Sequence, residues 1–171
     1  MNNLVLEISR HTWEQMQCGC NRSAEHIPRD FLDAIRGPLP ERIGEGWADN
    51  HAYIQSNLMQ PAAATASIVA AAIAEPEVPV QWRPQLLAVL ANLVQGEQDD
   101  ISENCKQSVR GCSENLFEEI AAGRSIMAAG YAFELLMDYP DLKERLHFYQ
   151  VKARENLPAD LRAEILNLDS L

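Results

Sequence analysis

Apolar residues recur at helical spacing along most of the chain. In WRPQLLAVLANLVQG, Leu86, Leu87, Leu90, Leu93 and Val94 follow the i, i+3/i+4, i+7 pattern of a helix, and Gly96 closes it. DDISENCKQSVRGCSENLFEEIAAG places Cys105, Val109, Cys112, Leu116, Phe117 and Ile120 on one face, with Asp100 or Ser102 as cap and Gly123 as stop. RSIMAAGYAFELLMDYP repeats the pattern and stops at Pro140. Upstream, PAAATASIVAAAIAE predicts a helix from Pro61 to about Ala74, whose alanines allow neighbouring helices to approach closely. IPRDFLDAIRGP predicts another from Pro28 to Ile35, with proline in the first turn and Gly-Pro as its stop.

Elsewhere the pattern is weaker. A first helix is predicted over Ser9 to Cys18, and only the first six residues of the chain have extended character. LPERIGEGWADNHAYIQSNL reads as helical from Pro40 with Ile43, Trp47, Tyr53 and Ile54 as anchors, although Gly44 and Gly46 weigh against it. Two short helices, 141–153 and 158–167, complete an all-α reading of one domain over 1–171, with about eight or nine helices joined by short loops. From Leu86 through Met127 the pitch is roughly one helix pair per 40 residues, the period of HEAT and armadillo arrays.

Charge narrows the partner classes. The formal net charge is −11, from 25 acidic and 14 basic residues. That balance disfavours tracking a phosphate backbone or an anionic membrane, and favours a basic protein partner. The hydrophobic fraction of 47% is that of a folded chain. Four cysteines are too few to staple it, the start MNNLVLEISRH lacks the features of a secretory signal, and the longest apolar run is too short to span a bilayer. A cytoplasmic protein is expected.

Candidate chemistry is sparse. QCGCNRSAEHIP brings Cys18, Cys20 and His26 close in sequence, but the cysteines are one residue apart where structural zinc uses two to four. Cys105 and Cys112, two turns apart on one helix, supply no complementary ligand pair. The stretch is therefore read as a helix end, a turn at Gly19 and a new helix start, with no metal and no cofactor expected. A Cys18–Cys20 disulfide would be strained and is not expected. His11, His26, His51 and His147 are dispersed, with His51 on a helix surface, and no nucleophile elbow or phosphate loop accompanies them. Adjacent acids such as Glu118–Glu119 point apart on a helix, so no catalytic residue is assigned.

The order of motifs adds a resemblance. Trp13 is followed by RSAEHIPRDFLDAIRG, HAYIQSNLMQPAAATASIVAAAI, WRPQLLAVLANLVQG, CKQSVRGCSENLFEEI and MAAGYAFELLMDYP. Over about residues 9–140 this series resembles a bacterial family of small HEAT-like repeat proteins. It departs from that pattern at Met127, where an arginine-rich helix start is usual, and at Ala63 and Ala64 in the PAT-like helix. The resemblance implies a right-handed α-solenoid of antiparallel HEAT-like helix pairs that binds another macromolecule. Many such proteins resemble immunity proteins encoded beside polymorphic toxins, and the resemblance brings no catalytic residues with it.

Function then rests on the surface. From 97 to 119 there are seven acids, Glu97, Asp99, Asp100, Glu103, Glu114, Glu118 and Glu119, against Lys106 and Arg110. A patch of that sign steers and holds a cationic protein, with Trp82 as an interface anchor. The expected function is that of a non-enzymatic immunity protein covering the basic cleft of a toxin such as a nuclease. The alternatives are a HEAT-repeat scaffold and a helical-repeat enzyme such as a DNA glycosylase or a lyase subunit; the glycosylase needs a basic groove that this chain lacks.

Overall fold

The computed structural model describes residues 3–164 and 166. It is mostly helical, as the apolar spacing predicts, with eight α-helices and one two-stranded sheet among the described residues. The chain divides into two compact units, Met1–Gly111 and Cys112–Leu171.

In the first unit the central element is α3 (Ala62–Ala74). Its apolar residues run all round the helix, and every residue from Ala64 to Ile73 is buried. A helix without a polar face is stable only when neighbours enclose it, and α3 packs against α1 (Asn3–Ser9), α4 (Arg83–Val94) and α5 (Asp99–Gly111). Side chains satisfy the helix ends. Buried Arg83 donates from Nη1 to the Ile73 carbonyl at 3.1 Å, and Ser102 Oγ donates to the Val94 carbonyl at 2.6 Å. Trp82 lies beneath the start of α4, 1% exposed, with its indole N–H on the Gly37 carbonyl.

Before α3 the chain departs from the predicted helices. The expected extended start is α1 itself, and the helix expected over Ser9–Cys18 is replaced by a single 3₁₀ turn at Trp13–Gln15 and a hairpin. Only α2 (His26–Ala34) matches its prediction, beginning two residues earlier. The segment from Pro40 is not helical. Gly44 (φ 71°), Gly46 (φ 85°), Asn50 (φ 63°) and Gln55 (φ 56°) take left-handed backbone, which stops a right-handed helix each time. Four turn residues in a row of sixteen outweigh the apolar spacing of Ile43, Trp47 and Ile54. The strands β1 (Tyr53–Ile54) and β2 (Asn57–Leu58) form a small antiparallel hairpin around Gln55. The Leu58 N–H is held by the Gln98 side chain at 2.5 Å.

The second unit packs α6 (Ser113–Ala122), α7 (Ile126–Met137) and α8 (Lys143–Lys152) around Leu116, Phe117, Ile120, Phe133, Leu136 and Leu146. The helix predicted to run continuously through Cys112 is two helices, α5 and α6. Glycine at 111 weakens the helix there, and Cys112 (φ −106°, ψ 16°) leaves helical geometry. Gly123 (φ 57°) ends α6, and Asn156 donates to the freed carbonyls of Ile120 and Ala121. Ser125 caps α7 by accepting the Ala128 N–H. Of the helix expected over 158–167, the described residues show one turn, Leu161–Ala163; positions 165 and 167 lie outside them. No helix of the described residues is long and apolar enough to cross a membrane.

Candidate metal centre

The turn-rich segment before α3 brings together side chains that are far apart in sequence. Residues 16–24 form a tight hairpin: the Cys18 N–H donates to the Arg22 carbonyl at 2.8 Å and the Ala24 N–H to the Met16 carbonyl at 2.9 Å. Asn21, at φ 65°, turns the tip. The result is that Cys18 and Cys20 point the same way, with Sγ atoms 3.2 Å apart. His26 follows as the first residue of α2.

The second wall is the loop at 44–54. Its left-handed residues Gly44 and Asn50 fold it back so that the His51 carbonyl receives the Gly19 N–H at 2.9 Å. Gly19 is required by this contact. A Cβ there would lie 2.9 Å from the Asn50 oxygen and 3.2 Å from that of His51, both fixed backbone atoms.

Four donor atoms converge on the space between the walls: Cys18 Sγ, Cys20 Sγ, His26 Nε2 and His51 Nδ1, all within 4.8 Å of one another. Cys18 Sγ is 3.7 Å from His26 Nε2 and 3.2 Å from His51 Nδ1. Cys20 Sγ is 3.8 Å from His26 Nε2, and the two ring nitrogens are 3.1 Å apart. A tetrahedral zinc with ordinary Zn–S and Zn–N bonds needs edges of about 3.8 Å between sulfurs, about 3.5 Å between sulfur and nitrogen and about 3.3 Å between nitrogens. The cluster is therefore near the size of a zinc polyhedron before any movement.

Orientation supports the same reading. His26 Nδ1 faces the Ser23 carbonyl at 2.9 Å, and against a carbonyl that nitrogen must carry the proton. Nε2 then presents its lone pair to the cluster, the arrangement by which an outer carbonyl fixes a metal-binding histidine. Cys18 and His26 are buried, while Cys20 and His51 are half-exposed. Burial pushes the Cys18 thiol up to about 11, with Cys20 adding to the shift. At Cys20 the small burial penalty is outweighed by hydrogen bonds from Cys18 and Arg22, and its thiol lies below the ordinary value. His51 is lowered by burial and then by neighbouring His26. Cys105 and Cys112 differ: both are enclosed in apolar surroundings and pushed up to about 12 by burial.

The placement of these residues differs from the expectation. Cys18 belongs to a hairpin rather than a helix end, and His51 faces inward from a loop rather than outward from a helix. Cys105 and Cys112 do not join the cluster; its fourth donor, His51, lies 33 residues beyond Cys18. Two signals in the sequence pointed there: the run of glycines that prevents a helix at 44–46, and a histidine directly after Asn50.

The acidic residues singled out from sequence belong to two different units. Glu97, Asp99, Asp100 and Glu103 are exposed in the first unit, where Glu97 accepts from Ser56 Oγ and Glu103 lies 4.0 Å from Lys106. Glu114, Glu118 and Glu119 belong to the second unit. Glu114 is gripped by both guanidinium nitrogens of Arg145, which stacks over Phe117, and Arg124 bridges Glu118 and Glu119. Glu119 is 1% exposed, so neither it nor Trp82 presents a surface.

A serine–histidine pair elsewhere has the wrong geometry for a nucleophile. His11 Nε2 is 2.7 Å from Ser67 Oγ, but Glu7 approaches the same nitrogen at 3.6 Å. A catalytic acid has to hold the opposite ring nitrogen, and the buried Ser67 hydroxyl is occupied by the Ala64 carbonyl. No protein family, curated protein or solved structure matches the chain.

Proposed function

We propose that this chain is a zinc-binding protein in which one Zn²⁺, held by Cys18, Cys20, His26 and His51, fixes the polar segment between α1 and α3. The observation that carries the reading is the convergence of four sulfur and nitrogen donors within 4.8 Å, one of them oriented by the Ser23 carbonyl. The donor set selects the metal class. Thiolate and imidazole without carboxylate suit zinc over magnesium, calcium or manganese, and two thiolates neutralise the dication in a partly buried site. Four protein ligands also leave no open position for substrate or water, so the role is structural rather than hydrolytic.

Elemental analysis of the purified chain should find one zinc per molecule. Substitution with Co²⁺ should give the visible absorption of a tetrahedral site together with sulfur-to-cobalt charge transfer, both weakened or lost in His51→Ala. A chain supplied with zinc that retains none, or a cobalt spectrum without thiolate charge transfer, would sink the proposal.

A second reading concerns partners. The net charge of −11 and the exposed Glu97, Asp99, Asp100 and Glu103 support a non-catalytic role in binding a basic protein, such as a toxin domain neutralised by an immunity protein. The HEAT-like kinship belongs to this reading and rests on the ordered motif series alone. Charge reversal at Asp99 and Asp100 should weaken such binding and flatten its salt dependence; unchanged, salt-insensitive binding to the basic partner would count against it.

A further inference from the structure

Four thiols in this chain fall into two chemical classes, and the difference locates a modification site. Cys105 and Cys112 are buried among apolar side chains, with no access for a polar reagent. Cys20 stands half-exposed near a hairpin tip. Behind it, 3.2 Å away and 2% exposed, is the sulfur of Cys18. An accessible sulfur backed by a second, buried sulfur in contact has the layout of an attacking and a resolving cysteine.

Resting on the zinc reading above, we infer that Cys20 is a site of oxidation by peroxides, that Cys18 resolves it to a Cys18–Cys20 disulfide, and that the reaction discharges the zinc. In the first step the Cys20 thiolate sulfur attacks one peroxide oxygen. An S–O bond forms, the O–O bond breaks, and the leaving alkoxide or hydroxide takes a proton from water. Sulfur has given up two electrons and Cys20 is a sulfenic acid. In the second step the Cys18 thiolate attacks the Cys20 sulfur; the S–S bond forms and hydroxide leaves. Two thiolates, one hydroperoxide and two protons become one disulfide, one alcohol (or water) and one water. A disulfide sulfur is a poor zinc ligand, so the metal retains only His26 and His51 and dissociates.

The hairpin also makes the product reversible. A disulfide spanning a single residue closes a small, strained ring, and strained disulfides are the readily reduced ones. Gly19 eases closure, because it has no side chain between the sulfurs and its N–H is already anchored on the His51 carbonyl. Once a thiol reductant opens the bond, the same two sulfurs are returned to the metal position.

The test uses the full zinc-loaded chain and hydrogen peroxide. Released zinc is followed with a chromogenic chelator, and the products by intact mass and peptide mapping under acid quench. The expected result is release of one zinc per chain together with a mass loss of about 2 Da relative to the reduced apo chain, mapped to a Cys18–Cys20 bridge. Cys105 and Cys112 remain alkylatable after denaturation, and dithiothreitol followed by zinc restores the loaded form. In Cys18→Ser, Cys20 should stop at the sulfenic acid and be trapped by dimedone. The wild-type mapping stands by itself if that variant folds poorly. A chain that binds zinc but yields only Cys20 sulfinic acid, an intermolecular disulfide or retained metal would overturn the oxidation and leave the metal reading intact. A chain that takes up no zinc yet forms the 18–20 bridge would overturn the metal reading, and the discharge with it.

Discussion

Residues 10–60 and residues 62–111 share one compact unit and are held in opposite ways. The later segment is three helices whose apolar side chains bury one another; Ile68, Leu86, Leu87, Leu90 and Leu93 have no exposed surface. The earlier segment has one helix of nine residues, a 3₁₀ turn and two two-residue strands, and its shape depends on left-handed residues and single hydrogen bonds. A packed helix gains stability from many weak contacts and tolerates the loss of any one. The earlier segment also buries Ile27, Phe31 and Trp47, but its connections are turns, and the zinc proposed above would tie three stretches of it together at once. The contrast teaches where each kind of restraint would act: helix packing holds the later segment, and the proposed metal would act on the turns of the earlier one.

The largest expected effect comes from removing the metal. Structural zinc supplies on the order of 10 kcal/mol of apparent binding energy in small domains, so chelation should sharply raise amide exchange over 16–26 and 44–54. Amides of α3 and α4 should stay slow by comparison. Uniform loss of protection across both segments would break the division, because it would make the metal a support for the helical core as well.

The converse experiment is Leu90→Ala. Truncating a fully buried leucine costs roughly 2–5 kcal/mol, and Leu90 is 0% exposed. Denaturant unfolding of the first unit should shift by that amount, while the cobalt spectrum of the folded fraction stays unchanged. A spectrum that changes shape would mean that packing under α4 positions the ligands.

A smaller effect is expected from Gly19→Ala. The added methyl meets backbone oxygens of residues 50 and 51 and pushes the His51 loop away from the hairpin. Displacing a group that orients ligands typically weakens metal affinity by about 10-fold or more, which competition with a zinc chelator would measure. Unaltered affinity would show that the Gly19–His51 latch does not set the ligand geometry.

The smallest effect concerns pH at the junction of α1 with α3. His11 is lowered from the ordinary histidine value first by burial and then by Arg10, with Glu7 opposing. A depressed histidine stabilises the fold fully above its unfolded value of about 6.5 and loses that contribution as pH falls through the folded value. Docking of α1 should therefore loosen on acidification. Trp13, whose ring lies 5.6 Å from that of His11, reports it by fluorescence against a Trp13→Phe control. The acid-dependent change should vanish in His11→Gln; persistence there would assign it to another group.

The same contrast explains how much of the molecule was legible in its sequence. Helices α3, α4, α7 and α8 follow from apolar spacing between proline and glycine stops, because their structure is decided within each segment. The segment at 40–58 was not legible. Its path depends on Gly44, Asn50 and Gln55 adopting left-handed backbone, and on the Leu58 N–H meeting Gln98, forty residues away in sequence. The four-donor cluster was half legible. Cys18, Cys20 and His26 stood together as a question, and the answer lay with His51, whose approach depends on a loop that periodicity misread as helix.

Helix α3 has a consequence for how the protein can change over time. α1, α4 and α5 enclose its small side chains, and alanines such as Ala66 and Ala72 are 0% exposed, so a larger side chain there must displace packed neighbours. Drift in this chain should therefore be sharply uneven. The sequence of α3 should favour small side chains at those positions, while ahead of it the exposed loop positions, away from buried residues such as Ile27, Phe31 and Trp47, should vary more freely. A random mutant library scored for folding would show that confinement as a block of intolerance in the plainest, least chemically active stretch of the molecule.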